Sequence, residues 1–241
     1  MSLLANLKSS NDIAAEKDVL GGDFSALDSG IYTGEIKYAY LQKAKSSNAL
    51  SLNISVMING KEYREQLWVS NKQGENFYTK DGNKSFLPGF NIAESIALFT
   101  TGKSLASLET EDKAVNIYNS DQKKEVPTLV PCITDMHGKE ISLAIVKEVR
   151  PKQQNVGTAE SPKWVDTDET REVNATQKVF HPVSHKTVAE VRAKAETAEF
   201  YDKWLEKNKD CVRVIKPKGA AASTAAAGNQ SPAVSSLFGN G

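Results

Sequence analysis

Between Leu50 and Ile58 every second residue is a large aliphatic: Leu50, Leu52, Ile54, Val56 and Ile58 share one parity, and Ser51, Asn53, Ser55 and Met57 take the other. A backbone of period two puts the first set on one side, so the run predicts a β-strand with one buried face and one wet face. Asn59-Gly60 follows directly. A two-residue type I′ turn needs two positive φ angles, which Asn and Gly tolerate. The next run, Lys61 to Val69, is therefore expected to return as an antiparallel neighbour.

In that return run Tyr63, Leu67 and Val69 hold the apolar parity, while Arg64, Gln66 and Trp68 hold the opposite one. A tryptophan that shares a face with an arginine rather than with leucines exposes a large ring, which marks a binding platform. The preceding run, Ile31 to Leu41, alternates as well and carries Tyr38 and Tyr40. Both share parity with Ile36, so at least one points inward unless a bulge turns the strand. A second hairpin, Phe77 to Phe86 with Asp81-Gly82 at its tip, interleaves Phe77, Tyr78 and Phe86 with Lys80 and Lys84 and reads as a finger. Such rings stack on unpaired bases at about 1–3 kcal/mol per base, and such cations track phosphates. The plainer alternative is that Phe77 and Phe86 staple the hairpin and the lysines keep it in solution.

Thirty basic and thirty acidic residues leave the 241-residue chain with no formal net charge. A basic total would favour nucleic acid outright; here only a local patch can do so. Between Tyr32 and Lys80, Lys43, Lys45, Arg64 and their basic neighbours outnumber the glutamates. Cys132 and Cys211 have neither metal-ligand nor redox spacing, which predicts free thiols in a reducing compartment. No apolar stretch reaches the length of a membrane span and no signal-peptide pattern opens the chain, so a soluble protein of the cytoplasm is expected.

Taken in order, residues 1–23 read as an amphipathic arm that caps the sheet or touches a neighbouring subunit. Within 24–150, Asn91 and Glu94 resemble a capping box opening a helix from Ile92 to about Thr101, with Ile92, Ile96 and Phe99 buried and Gly102 as the stop. Ala114 to Tyr118, Val126 to Thr134 and Glu140 to Val149 read as strands, the second confined to an edge or an irregular path by Pro127 and Pro131. Three strands, a helix and further strands predict a mainly β fold: an OB-like five-stranded partly open barrel with a helix between strands 3 and 4. A small β-sandwich with an inserted helix is the competing architecture.

Residues 151–186 read as a loop or loose hairpin, in which Trp164 either closes over the binding groove or, as the favoured reading, anchors the loop against the barrel. Thr187 and Glu190 form a second capping box, opening an amphipathic helix over 187–210 that lies on the barrel or on a partner. A homo-oligomer would use this helix or the N-terminal arm. Residues 211–241, uncharged from Gly219 onward, read as a flexible tail in which Leu237-Phe238 either serves as a partner hook or has no role, with equal weight on the two.

Chemistry-bearing constellations are missing from the pattern. His181 and His185 have a helical zinc spacing, but Pro182 breaks that helix and no further ligands accompany them. Gly102-Lys-Ser104 is a fragment of a phosphate loop without its glycine spacing, and no nucleophile elbow occurs. A binding protein without cofactor or metal is expected, and not an enzyme. The stacking candidates are Tyr38, Tyr40, Trp68 and Tyr78; the phosphate candidates are Lys43, Lys45, Arg64, Lys80 and Lys84. The rival class is a protein-interaction or assembly module whose aromatic face meets a polypeptide.

Gly30-Ile-Tyr-Thr-Gly-Glu-Ile-Lys-Tyr-Ala-Tyr-Leu41, Ala49-Leu-Ser-Leu52, Lys80-Asp-Gly-Asn-Lys84, Phe86-Leu-Pro-Gly-Phe-Asn91 and Lys124-Glu-Val-Pro127 together resemble bacteriophage-encoded single-stranded DNA-binding proteins. Thr187-Val-Ala-Glu-Val191 and Phe200-Tyr-Asp-Lys-Trp204 fit the same group. The resemblance implies an OB-type barrel that coats unpaired DNA during phage replication and recombination in the infected cell, beside other phage replication proteins. Replication single-strand binders commonly end in an acidic tail with a terminal aromatic. This chain ends neutral, with Phe238 short of the terminus, so that recruitment device is not carried over.

Overall fold

The computed structural model describes residues 26–44, 47–119, 122–158 and 163–217. The N-terminal arm, Lys45 and the tail beyond residue 217 lie outside them. The fold is mainly β. Strands β1 (Gly30–Lys43), β2 (Leu50–Ile58) and β3 (Lys61–Trp68) form an antiparallel meander. Asn59 and Gly60 take positive φ at its tight turn, as the sequence predicts. The finger follows as β4 (Phe77–Lys80) and β5 (Asn83–Phe86), a separate two-stranded sheet turning at Asp81 and Gly82, again at positive φ.

Helix α1 (Pro88–Thr101) comes next, then β6 (Glu111–Asn119) and β7 (Lys124–Cys132), a hairpin that touches β1 through Tyr40 and Cys132. Strand β8 (Glu140–Asn155) pairs with β1, and β9 (Trp164–Phe180) pairs along β8. Helices α2 (Val188–Arg192) and α3 (Glu199–Asn208) and a short β10 (Val212–Val214), parallel to β8, complete the described chain.

Burial explains the layering. The aliphatic parity of β2 lies under Tyr63 and Leu67 of β3, Ile36 and Ala39 of β1, Ile141, Leu143 and Ile145 of β8, and Phe90, Ala93, Ile96 and Ala97 of α1. Alternate residues Ala144 and Val146 face the other way and pack with Phe180 and with Trp204 of α3. Strand β8 is thus covered on both faces here, which is why Leu143 to Val146 are apolar without a break. Among the described residues no backbone ladder joins β3 to β9; the gap is bridged by side chains. Glu65 Oε1 accepts from the Thr176 amide at 3.0 Å, and Tyr63 Oη donates to Glu65 Oε2 at 2.8 Å and lies 3.1 Å from Thr176 Oγ1.

Four local expectations need correction. Helix α1 begins at Pro88 with Leu87 as a cap lacking any side-chain bond, because proline's missing N–H costs nothing in the first turn. Asn91 is therefore already helical, and Glu94 instead accepts from Ser104 Oγ and the Leu105 amide. Its buried face is Phe90, Ala93, Ile96 and Ala97, with Ile92 and Phe99 half-buried; Gly102 stops it in the left-handed region, as expected.

The amphipathic helix over 187–210 is broken in two. Thr187 and Glu190 do form their capping box, but Glu190 also accepts from the Phe200 amide, so one carboxylate serves the starts of both helices. Lys194 turns between them at positive φ. Of the two readings of Lys152 to Thr170 the hairpin is the one found, as the outer part of a long antiparallel β8–β9 arm. Trp164 stands near that arm's tip, opposite Asn155 and 60% exposed, and does not anchor it to the core.

Candidate nucleic-acid interface

Strand register builds one outer face from three cross-strand rows: Gln42, Ser51 and Trp68; Tyr40, Asn53 and Gln66; Tyr38, Ser55 and Arg64. The tyrosines reach this face because β1 slips register between Ile36 and Tyr38. Lys37 is the extra residue of a bulge, so Ile36 and Ala39 both face the core and Tyr38 and Tyr40 both face away. The amides are tied into the plate: Gln66 Nε2 donates to Ser51 Oγ at 3.1 Å and Asn53 Nδ2 to the same atom at 3.3 Å. Trp68 ends the plate with its indole 45% exposed.

The two phenol rings lie 5.9 Å apart, yet their surroundings differ. The β6–β7 hairpin covers Tyr40, which is only 7% exposed and packs with Val115, Val130 and Cys132. That leaves Tyr40 no open ring face to stack on, whereas Tyr38 is half-buried at the edge of the same cluster. Burial raises the titration of both hydroxyls, and Arg64 partly opposes it.

Arg64 is exposed but engaged. Its Nε and Nη2 donate to the two oxygens of Glu62 at 3.0 Å each, and Nη1 donates to Glu125 at 2.6 Å. The guanidinium hydrogen bonds, aided by Ser55, hold the Glu62 carboxyl down at about 2, against the opposing effect of burial. A cation matched by two carboxylates contributes little to phosphate attraction. Lys43 is exposed at the end of β1, opposite Leu50.

Tyr78, Lys80 and Lys84 stand together on the finger, all exposed. Phe77 and Phe86 are cross-strand partners, and Lys84 Nζ lies 4.6 Å over the Phe77 ring. Phe86 leans on Phe90 of α1 at 5.1 Å between centroids. The plate and the finger adjoin through α1, whose Gly89 sits against the Trp68 backbone. The sequence-derived residues thus fall into two neighbouring groups, with Arg64 neutralised and Tyr40 covered.

Three cations near the finger were not among the candidates: Lys178 of β9, Arg192 of α2 and Arg213 of β10. No local pattern signals them. They reach the finger only through pairings of distant segments.

Among the described residues no group of three or more His, Cys, Asp or Glu side chains is placed to hold a metal ion. His181 instead packs edge-on to Phe99, and His185 stacks on Tyr201 at 4.4 Å. No helix among these residues is long and apolar enough to cross a membrane. The chain matches no known protein-family model, and no curated protein is significantly similar to it.

Proposed function

We propose that the protein binds single-stranded DNA without reading its sequence, by stacking bases on Trp68, Tyr38 and Tyr78 and by meeting phosphates with Lys43, Lys80 and Lys84. The observation that carries this reading is the pairing of a plate, covered at Tyr40 but ended by an exposed indole and carrying amides, with an aromatic-and-lysine finger immediately beside it. Stacking accepts any base because every base has a π-face, while lysines supply the salt-dependent part of the affinity. The activity is one of coating, not of catalysis.

An OB-like barrel is the architecture that fits this role. The order β3-β2-β1-β8-β9, with α1 between the third and fourth of these strands along the chain, supports that description. So does the side-chain clasp of Tyr63, Glu65 and Thr176 across the remaining gap. The resemblance to phage single-strand binders supports a place in phage replication or recombination in the infected cell.

Zero net charge and the engaged Arg64 favour the other class of partner, a polypeptide, and the test separates the two. The full chain is titrated with oligo-dT, duplex DNA and RNA at several salt concentrations. Tight binding of oligo-dT that falls steeply with salt is the expected result. Absence of oligo-dT binding at low salt overturns the reading in favour of a protein-interaction module.

A further inference from the structure

The finger has a second side. Between it, α1, β9, α2 and Arg213 runs an open groove of 990 Å³. Tyr78 and Phe86 of the finger line it together with Lys84, Lys178, Arg192 and Arg213. Its two carboxylates are already engaged. Glu148, almost wholly buried, is held by Arg150 and Arg213, and Glu94 accepts from Ser104 Oγ and the Leu105 amide.

Lys84, Lys178 and Arg192 pair with no carboxylate among the described residues. Lys84 and Lys178 rest over the rings of Phe77 and Phe200, which leaves their charge intact. A concave surface with three uncompensated cations focuses positive potential and draws a polyanion.

We propose that this groove is a second track for the same single-stranded DNA, with Lys84, Lys178 and Arg192 meeting phosphates and Tyr78 and Phe86 receiving bases. The inference rests on the single-strand-binding reading and extends its footprint: a strand leaving the plate at Trp68 rounds the finger and enters the groove. A polyanion with planar rings fits this lining better than an acidic peptide, because two exposed aromatics line the groove among the cations. The engaged Arg64 makes the same point from the plate side. Phosphate neutralisation there is weak, so a strand held only by the plate lacks the charge contacts that the groove supplies.

The test compares a short oligo-dT of about 6 nucleotides, which one stacking surface holds, with a long one of about 30. The Lys178→Ala/Arg192→Ala variant is expected to bind the short oligonucleotide as the wild type does. It should bind the long one roughly tenfold more weakly, with a salt slope reduced by about 1.4 for two lost phosphates. Arg192→Ala alone, at an exposed position of α2, makes the same comparison should the double variant not fold.

Equal wild-type and variant affinity at both lengths, with Trp68→Ala weakening both, overturns the groove and leaves the single-strand-binding function standing. No binding of wild-type protein to either length overturns both. Loss of poly-glutamate binding in the double variant, with long oligo-dT unaffected, reassigns the groove to a polypeptide and overturns the proposal.

Discussion

A Cβ built on Gly89 would lie 2.9 Å from the amide nitrogen of Trp68 and closer still to its carbonyl oxygen. The first turn of α1 therefore rests on the backbone of the residue whose ring ends the plate. In an exposed helix, Gly→Ala stabilises by about 1 kcal/mol. Here the clash involves backbone and cannot be relieved by a rotamer, so Gly89→Ala is expected to destabilise by about 1–3 kcal/mol. Urea unfolding measures the sign directly; a stabilised variant would mean that α1 and β3 do not approach this closely in solution.

Trp68 and Tyr40 should respond in opposite ways. Trp68→Ala removes an exposed ring and is expected to weaken oligo-dT binding by about 1–3 kcal/mol with little change in melting temperature. Tyr40→Ala opens a cavity under β6–β7 and should cost about 3 kcal/mol of stability. Binding titrations and thermal melts of the two variants, run together, check the contrast. A large stability loss in Trp68→Ala with unchanged binding would assign that indole to the core.

Acid should loosen the plate through Glu62. Its carboxyl, ordinarily near 4.5, is held at about 2 by Arg64 in the folded protein. A depressed folded-state pKa contributes stability above the unfolded value, and that contribution disappears as pH falls from 4.5 toward 2. With Arg64 half exposed, solvent screening limits it to about 1 kcal/mol. Glu62→Gln should therefore lower stability by about that much at pH 7, and its stability should fall less than the wild type's between pH 4.5 and 2. Parallel pH profiles in denaturant titrations would contradict this.

Releasing Arg64 should strengthen DNA binding. The Glu62→Gln/Glu125→Gln variant leaves the guanidinium without either carboxylate and adds one cation to the plate. Oligo-dT affinity is expected to rise several-fold at low salt and its salt slope to steepen by about 0.7. Unchanged affinity would show that the strand does not pass over Arg64.

The clasp between β3 and β9 ties Tyr63, Glu65 and Thr176 together by three hydrogen bonds. Burial, with the adjacent Glu65 carboxylate, pushes the Tyr63 hydroxyl far above its ordinary titration, so it remains a donor throughout the alkaline range. Tyr63→Phe removes a partner from both Glu65 and Thr176 and should cost about 1–3 kcal/mol. Amide hydrogen exchange at Thr176, whose N–H bonds to Glu65, should accelerate in the variant.

Local signals were legible in the sequence and remote ones were not. Strict parity in β2, the two hairpin dipeptides and the Thr187 capping box depend on neighbours a few residues apart, so the pattern alone predicts them. The outward indole of Trp68 followed from the same parity. The covering of Tyr40 depends on β6–β7, more than seventy residues onward, and leaves no mark near Tyr40 itself. The outer half of β9 escaped for another reason. It leaves the core and exposes both faces, so its residues are polar at both parities and no alternation survives. Lys178 and Arg192 went unnoticed because a groove assembled from β9 and α2 exists only after folding.

Lys37 is the residue of β1 that has no counterpart across from it in β2. Drawing Lys37 into regular register would invert everything after it: both phenols would turn into the oily interior, and Ala39 and Leu41 would turn out into water. The bulge that keeps Lys37 out of the count thus acts on the protein as a frameshift acts on a message, resetting the meaning of side chains that are themselves unaltered, and deleting Lys37 would leave both phenols facing as they do.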